Sequence, residues 1–371
     1  MYFNEIRKIV IKWNKNRLLK RKIRKTNQEI SQISGEYAAQ QVGGLDFPDV
    51  KKLVIVDPLG CYGDALYVLG LLRRLTEYGF VVGVITNKHL QPLYVKVLPQ
   101  DKIYIFEDDG SVNSCLEQEW DMAVDLCYMW NHHWEQRRKI IPRLRCYKVV
   151  CDPCFMENKA GIYSAVIDWR QEPHFGDRMS RVVDCVRKKV GEPRIFPFYL
   201  PDVVEGSPTK RYIYINTVGR VAWRSFSDHQ VKMLIDWAKT LIDIDVFFYI
   251  DNSIKLEESG NIKIARTKSF IDACNLVSGA AAVVTPDTSI VHVASAMDIP
   301  ILAFYCRNDP EVFGKMMYQI WAPLSTNSRI VLPEEDEEKC SRISIRSASD
   351  RQMIEGLAWL ENHLNAGLVA G

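Results

Sequence analysis

The chain has 371 residues, of which 47% are hydrophobic and 25% charged, with ten cysteines and a formal net charge of +2. That length and apolar content support two packed domains and exclude an intrinsically disordered chain. The longest apolar runs, such as Ala280 to Thr285 and Ile299 to Tyr305, are far shorter than the roughly 20 residues of a spanning helix. The cysteines are scattered without the spacing of a small disulfide scaffold, so reduced, mostly buried thiols are expected. Cys151-Asp152-Pro153-Cys154 has metal-ligand spacing, but no second Cys or His pair accompanies it, and no metal is expected there.

The first segment is strongly basic. Residues 1–25 hold ten Lys or Arg against Glu5 alone, a local charge of +9. Phe3, Ile6, Ile9, Val10 and Trp13 fall near one face of a helix ringed by that charge, the pattern of an arm lying on an anionic membrane surface. A merely solvated basic extension is the competing reading. No motif supports nucleic acid as a partner. The start lacks the apolar stretch and small-residue cleavage site of a secretory signal, so a cytoplasmic protein is expected, peripheral at the inner face of the membrane if the arm binds there.

From Lys51 onward strands alternate with helices. Leu53 to Asp57 is a nearly all-apolar run, as in a strand covered on both faces. A Gly-punctuated loop follows, Gly60-Cys61-Tyr62-Gly63-Asp64, then an apolar-periodic helix from Ala65 to Tyr78. Further strands are expected at Phe80–Thr86, Ile103–Phe106, Trp120–Leu126 and Cys146–Cys151. Prolines 173, 193, 197, 201 and 208 mark a linker. Beyond it the rhythm restarts, with strands at Tyr212–Asn216, Val246–Ile250, Ala281–Thr285 and Ile299–Tyr305. Helices are expected at Ser227–Leu241, Ser269–Ser278 and Ser289–Met297, and a last amphipathic helix at Ala348–Leu364. The division this implies is a basic extension (1–45), a first Rossmann-like domain (46–200), a second (201–345), and a carboxyl-terminal helix and tail (346–371). Two such α/β halves enclose a cleft at the carboxyl ends of their strands.

Two segments carry chemistry. In Thr285-Pro286-Asp287-Thr288-Ser289-Ile290-Val291-His292 an apolar strand runs into small hydroxyl residues that open a helix. Such a start presents unpaired N–H groups and a positive dipole end to an anion, with hydroxyls ready to add donors. The plain alternative is that Asp287 or Thr288 is an N-cap and His292 a core histidine with its hydrogen bonds satisfied. In the loop after the first strand, Asp64 faces the cleft, where a carboxylate suits a general base on a hydroxyl; an ordinary N-cap is the alternative. The loop is neither a Walker A sequence nor G-x-G-x-x-G, which argues against an NTPase or a dinucleotide enzyme.

Together these segments resemble the heptosyltransferases, glycosyltransferase family 9. The matching residues are Gly63-Asp64-Ala65-Leu66 near the start, Trp120-Asp121-Met122-Ala123-Val124-Asp125-Leu126, and Asp287-Thr288-Ser289-Ile290-Val291-His292 with Ala294 to Ala296 and Pro300 to Tyr305. The resemblance implies a GT-B fold of class α/β, with two Rossmann-like domains, parallel sheets facing across a cleft, and a final helix packing back. It implies a metal-independent inverting transferase without cofactor, whose donor substrate is a nucleotide sugar, ADP-heptose first among them. The acceptor it implies is a lipopolysaccharide core or a related envelope glycan. By position, Asp64 would be the general base; Asp287, Thr288, Ser289 and His292 would hold the donor. Arg224, or alternatively Arg220, would neutralise its diphosphate. Gly63 and the aromatic, imidazole-rich Trp130, His132 and His133 are candidates for acceptor binding. Ser289 in place of a glycine and Arg-Ser-Phe in place of Lys-x-Trp make the chain a divergent member. Two other functions stay open: heptose transfer to a protein hydroxyl, and a catalytically weak sugar-nucleotide-binding scaffold.

Overall fold

A computed structural model describes residues 49–127, 137, 139–151, 162–167, 172–202, 212–251, 256–309, 315–334 and 342–369. The basic arm, Cys154, and Trp130, His132 and His133 lie outside these residues.

The first half is built on strands β1 (Lys52–Val56), β2 (Val81–Thr86), β3 (Ile103–Ile105), β4 (Met122–Asp125), β5 (Tyr147–Val150) and β6 (Ala165–Val166). They form one parallel sheet in the order β3-β2-β1-β4-β5-β6. Helix α1 (Tyr62–Glu77) follows β1 and is buried on nearly every side, as its unbroken apolar stretch from Ala65 to Leu72 requires. A short α2 (Gln91–Tyr94), α3 (Asp109–Leu116) and α4 (Phe175–Arg187) complete this half.

The second half repeats the plan. Its strands are β7 (Tyr212–Asn216), β8 (Asp245–Tyr249), β9 (Ile262–Ile264), β10 (Ala282–Pro286), β11 (Ile301–Phe304) and β12 (Ser328–Val331), parallel in the order β12-β11-β10-β7-β8-β9. Its helices are α5 (Asp228–Thr240), α6 (Phe270–Ser278), α7 (Ser289–Ala296), the short α8 (Met317–Ile320) and α9 (Asp350–Val369). Helix α9 packs back onto the second sheet, burying Met353, Leu357, Leu360 and Leu364 among Ile213, Phe248 and Leu302. No described helix is long and apolar enough to cross a membrane.

The halves are joined through an extended segment, residues 189–202, which is laced to the first half. The Phe198 N–H donates to Leu66 O at 2.9 Å, and Arg194 grips Asp177 through two bonds of 2.6 and 2.9 Å. A Cβ at Gly70 of α1 would lie 2.1 Å from the Phe196 carbonyl oxygen, so only glycine lets the segment cross the helix there.

In both sheets the strand order reverses beside the first strand of the half: β1 lies between β2 and β4, and β7 between β8 and β10. Loops leave in opposite directions at such a point and open a crevice. The two crevices face each other.

Candidate functional site

A cavity of about 770 Å³ lies where they meet. The first half contributes the β1–α1 loop and the first turn of α1; the second contributes the loops after β7 and β10 and the start of α6. The structure brings Gly63, Asp64, Arg220, Arg224, Asp287, Thr288, Ser289 and His292 together in its wall.

Helix α1 begins at Tyr62, earlier than the expected Ala65, so Gly63 and Asp64 occupy its first turn and Cys61 is the N-cap. Gly63 is there for a steric reason. A Cβ on it would come within 2.9 Å of His292 Cδ2 and 3.6 Å of Ser289 Cα, so it lets α1 and α7 approach across the cleft. Asp64 is therefore not an N-cap. It is only 8% exposed, and burial, reinforced by the nearby Asp57, raises its pKa to about 8 against the opposing pull of Arg220. Among the described residues it has no hydrogen-bond or ion-pair partner.

On the other wall, Thr288 is the N-cap of α7: its hydroxyl accepts from the Ile290 N–H at 3.3 Å. Asn216 at the end of β7 also donates to it, at 3.1 Å, and so fixes the loop after β10 to the loop after β7. Asp287 is buried, and its carboxylate meets Arg224 at 3.1 Å. Burial raises the Asp287 pKa, with Arg224 opposing. Arg224 is also tied to Asp309, at 2.9 Å, which in turn binds Arg342 at 2.6 Å. The Arg224 guanidinium is thus shared between two carboxylates. Arg220 is exposed in the cleft, and its only bond among the described residues reaches the Cys61 sulfur at 3.8 Å, across the two halves. Of the two arginines weighed from the sequence, Arg220 is the one without an ion pair among the described residues.

His292 is 4% exposed, and among the described residues its Nδ1 has no hydrogen-bond partner. Among the described residues, then, it is not a core histidine with both ring nitrogens satisfied. Burial pushes its pKa down to about 3, so the ring is neutral. It sits in an aromatic group made by both halves, with ring centroids 5.1 Å from Tyr67 and 5.6 Å from Trp321. The Tyr67 hydroxyl is likewise buried without a partner among the described residues. Nearby His174 is satisfied: its Nδ1 accepts from the Gly176 N–H, which leaves Nε2 to donate to Ala322 O at 3.0 Å.

Several wall residues were not singled out from the sequence. Tyr62 of α1 stacks on Phe270 of α6, centroids 4.1 Å apart and planes 17° from parallel, bridging the halves at one end of the cavity. Lys268 and Ser269 precede α6, where Ser269 and Asp272 form a capping box. That S-x-x-D signal stood in the sequence and marked the helix start, though not that it faces the cleft. Tyr249, Asn216, Met317 and Trp321 complete the wall.

Residues 253–348, which include the α7 start, match the family model described as glycosyltransferase family 9 (heptosyltransferase). No curated protein matches the chain. Among solved structures, Escherichia coli ADP-heptose LPS heptosyltransferase II is similar at 17% identity, over 85% of this chain and 99% of that one, with a TM-score of 0.62. The family 9 glycosyltransferase from Veillonella parvula gives 12%, 88%, 100% and 0.62. E. coli heptosyltransferase WaaC with ADP gives 11%, 84%, 99% and 0.58. The fold is GT-B, and the sequence match to glycosyltransferase family 9 spans residues 253–348.

Proposed function

We propose that this divergent family 9 relative is an inverting glycosyltransferase that moves a sugar from a nucleoside diphosphate sugar, ADP-heptose first among candidates, onto a hydroxyl of an envelope glycan. The observation that carries this reading is a carboxylate on one wall facing a helix start and Arg220 on the other, neither Asp64 nor Arg220 having an ion pair among the described residues. The family match over 253–348 and the similarity to heptosyltransferase WaaC with ADP support it.

The chemistry follows from the walls. The acceptor oxygen attacks the anomeric carbon while Asp64 takes its proton, and the bond from that carbon to the diphosphate oxygen breaks. The leaving diphosphate gains charge. Arg220, and the N–H groups at the start of α7 with their positive dipole end, are the groups set to receive it. Arg224 acts at one remove, holding Asp287 in place. Thr288 holds the loop, and Ser289 and His292 offer a hydroxyl and a neutral imidazole to the donor. Gly63 serves the acceptor side by letting the walls close. The acceptor roles of Trp130, His132 and His133 and membrane contact through residues 1–25 complete the proposal. So does the division at residues 45, 200 and 345.

Calorimetric titration with ADP, UDP, GDP and CDP tests it. Selective ADP binding, weakened by Arg220→Gln, is expected. Preference for another base moves the donor, and no binding of any of the four refutes the nucleotide-sugar reading.

A further inference from the structure

Two carboxylates lie at the carboxyl end of β1, and their surroundings are opposite. Asp57 follows the strand directly and is fully buried. Its Oδ1 accepts from the Leu59 N–H at 3.1 Å; its Oδ2 accepts from the Thr86 hydroxyl at 3.2 Å and the Tyr94 hydroxyl at 2.5 Å. Three donors from three elements converge on one side chain, the arrangement that holds an aspartate ionised. Burial, and then Asp57 itself, push the Tyr94 phenol well above its ordinary pKa, so Tyr94 keeps its proton and stays a donor. Asp64, in the first turn of α1, receives no such donor from the described residues. When two carboxylates share a poorly solvated corner, the one with donors keeps the charge and the one without keeps the proton.

Resting on the reading of Asp64 as the base, we propose that Asp57 is a positioning residue for it: a fixed anion, locked by Tyr94, Thr86 and the Leu59 amide, that makes Asp64 the proton-accepting member of an unequal carboxylate pair. Asp57 is not in the cavity wall and acts only through Asp64. The other groups around Asp64 do not duplicate it. Arg220 reaches over from the second half and favours ionisation; Cys61 at the N-cap of α1, Tyr67 on α1 and Tyr94 on α2 keep their protons because burial raises them. His292, on the α7 face packed against Gly63, is neutral. Asp57 is therefore the fixed negative charge that acts on Asp64. Turnover starts from the ionised form of Asp64, reached by loss of its proton to solvent; that carboxylate, made more basic by its neighbour, then takes the proton leaving the acceptor oxygen.

The test is carbon-13 NMR of aspartate-labelled protein titrated from pH 5 to 9.5, with the Asp64 signal assigned by its absence in Asp64→Asn. In the unaltered protein the Asp64 carboxyl should titrate near pH 8 while Asp57 stays ionised throughout. In Asp57→Asn the Asp64 midpoint should fall by about half a unit or more, roughly a threefold change in ionisation constant. An unmoved midpoint overturns the proposal. So does the unaltered protein if Asp57 is the protonated member at pH 7, and that result needs no variant to fold. If Asp64→Asn retains full transfer while Asp57→Asn still moves the Asp64 midpoint, the pair stands and the base assignment falls.

Discussion

Asp125 and Asp64 are both buried carboxylates near the carboxyl edge of the first sheet, close to adjacent strands, and the fold treats them in opposite ways. Asp125 ends β4 inside a closed network. Arg137 approaches it through Nε at 2.9 Å and Nη2 at 2.8 Å, the Tyr163 hydroxyl donates at 2.6 Å, and the Cys127 N–H at 3.1 Å. Among the described residues Asp64 has none of this, and around it the Tyr67 hydroxyl and His292 Nδ1 are buried without partners as well. Burying a polar group unpaired costs free energy, so folds keep few of them. The contrast separates two uses of polarity: the end of β4 is compensated and holds the chain, whereas the cleft is uncompensated and set for a ligand that supplies the missing partners.

The sharpest way to break that comparison is to neutralise each carboxylate site in turn. Asp64→Asn should lower transfer by about 10²–10⁴-fold, the range for loss of a general base, with no loss of urea stability. Full activity, or a large loss of stability, would place Asp64 with Asp125. Arg137→Met should do the reverse and cost about 3–5 kcal/mol in urea unfolding, because it leaves Asp125 buried and unpaired. Gly63→Ala should cost about 1–3 kcal/mol through overpacking against His292, and should weaken ADP binding in the same titration.

Acid sharpens the comparison further. An unfolded histidine takes up a proton near pH 6.5, whereas buried His292 stays neutral down to about pH 3. Over that window the unfolded state binds more protons, so stability falls as pH falls, by up to about 1.4 kcal/mol per unit for each such group. Thermal unfolding between pH 7 and 4 should show this slope, and His292→Gln should reduce it. The smallest effect expected is Thr288→Ala, about 1 kcal/mol for the lost N-cap, read by the same unfolding.

The parallel architecture was legible because strands buried on both faces are apolar throughout and cannot be mistaken for amphipathic ones; β1, β4, β10 and β11 all carry that mark. The α7 start was legible because Pro286, Thr288 and Ser289 punctuate the change from strand to helix. Of the four edge strands, β3 was expected at Ile103–Phe106 but the other three left no comparable trace. The two residues of β6, the three of β9 and the four of β12 are defined by their neighbours rather than by their own pattern. Helix α4 was hidden behind its histidine cap, His174, which resembles none of the usual capping residues. Within the site, the commitment of Arg224 depends on Asp309, 85 residues away, and the Tyr62–Phe270 stack joins two halves of the chain. No local spacing encodes either. The three donors on Asp57 come from a turn, a neighbouring strand and a short helix, which only the fold brings together.

The segment joining the halves bears on how such proteins may be recombined. Since Phe196 meets α1 at a glycine and Phe198 is tied to Leu66, its length and register are set by the helix that carries Asp64. Up to Phe198 it is a structural part of the first half; beyond that the Tyr199 hydroxyl and the Asp202 N–H donate to Asn275 of α6. A chimera that takes its second half from another GT-B protein should therefore be joined beyond Leu200, where the crossing is complete, because a seam or insertion between Pro193 and Phe198 would shift the helix under the site.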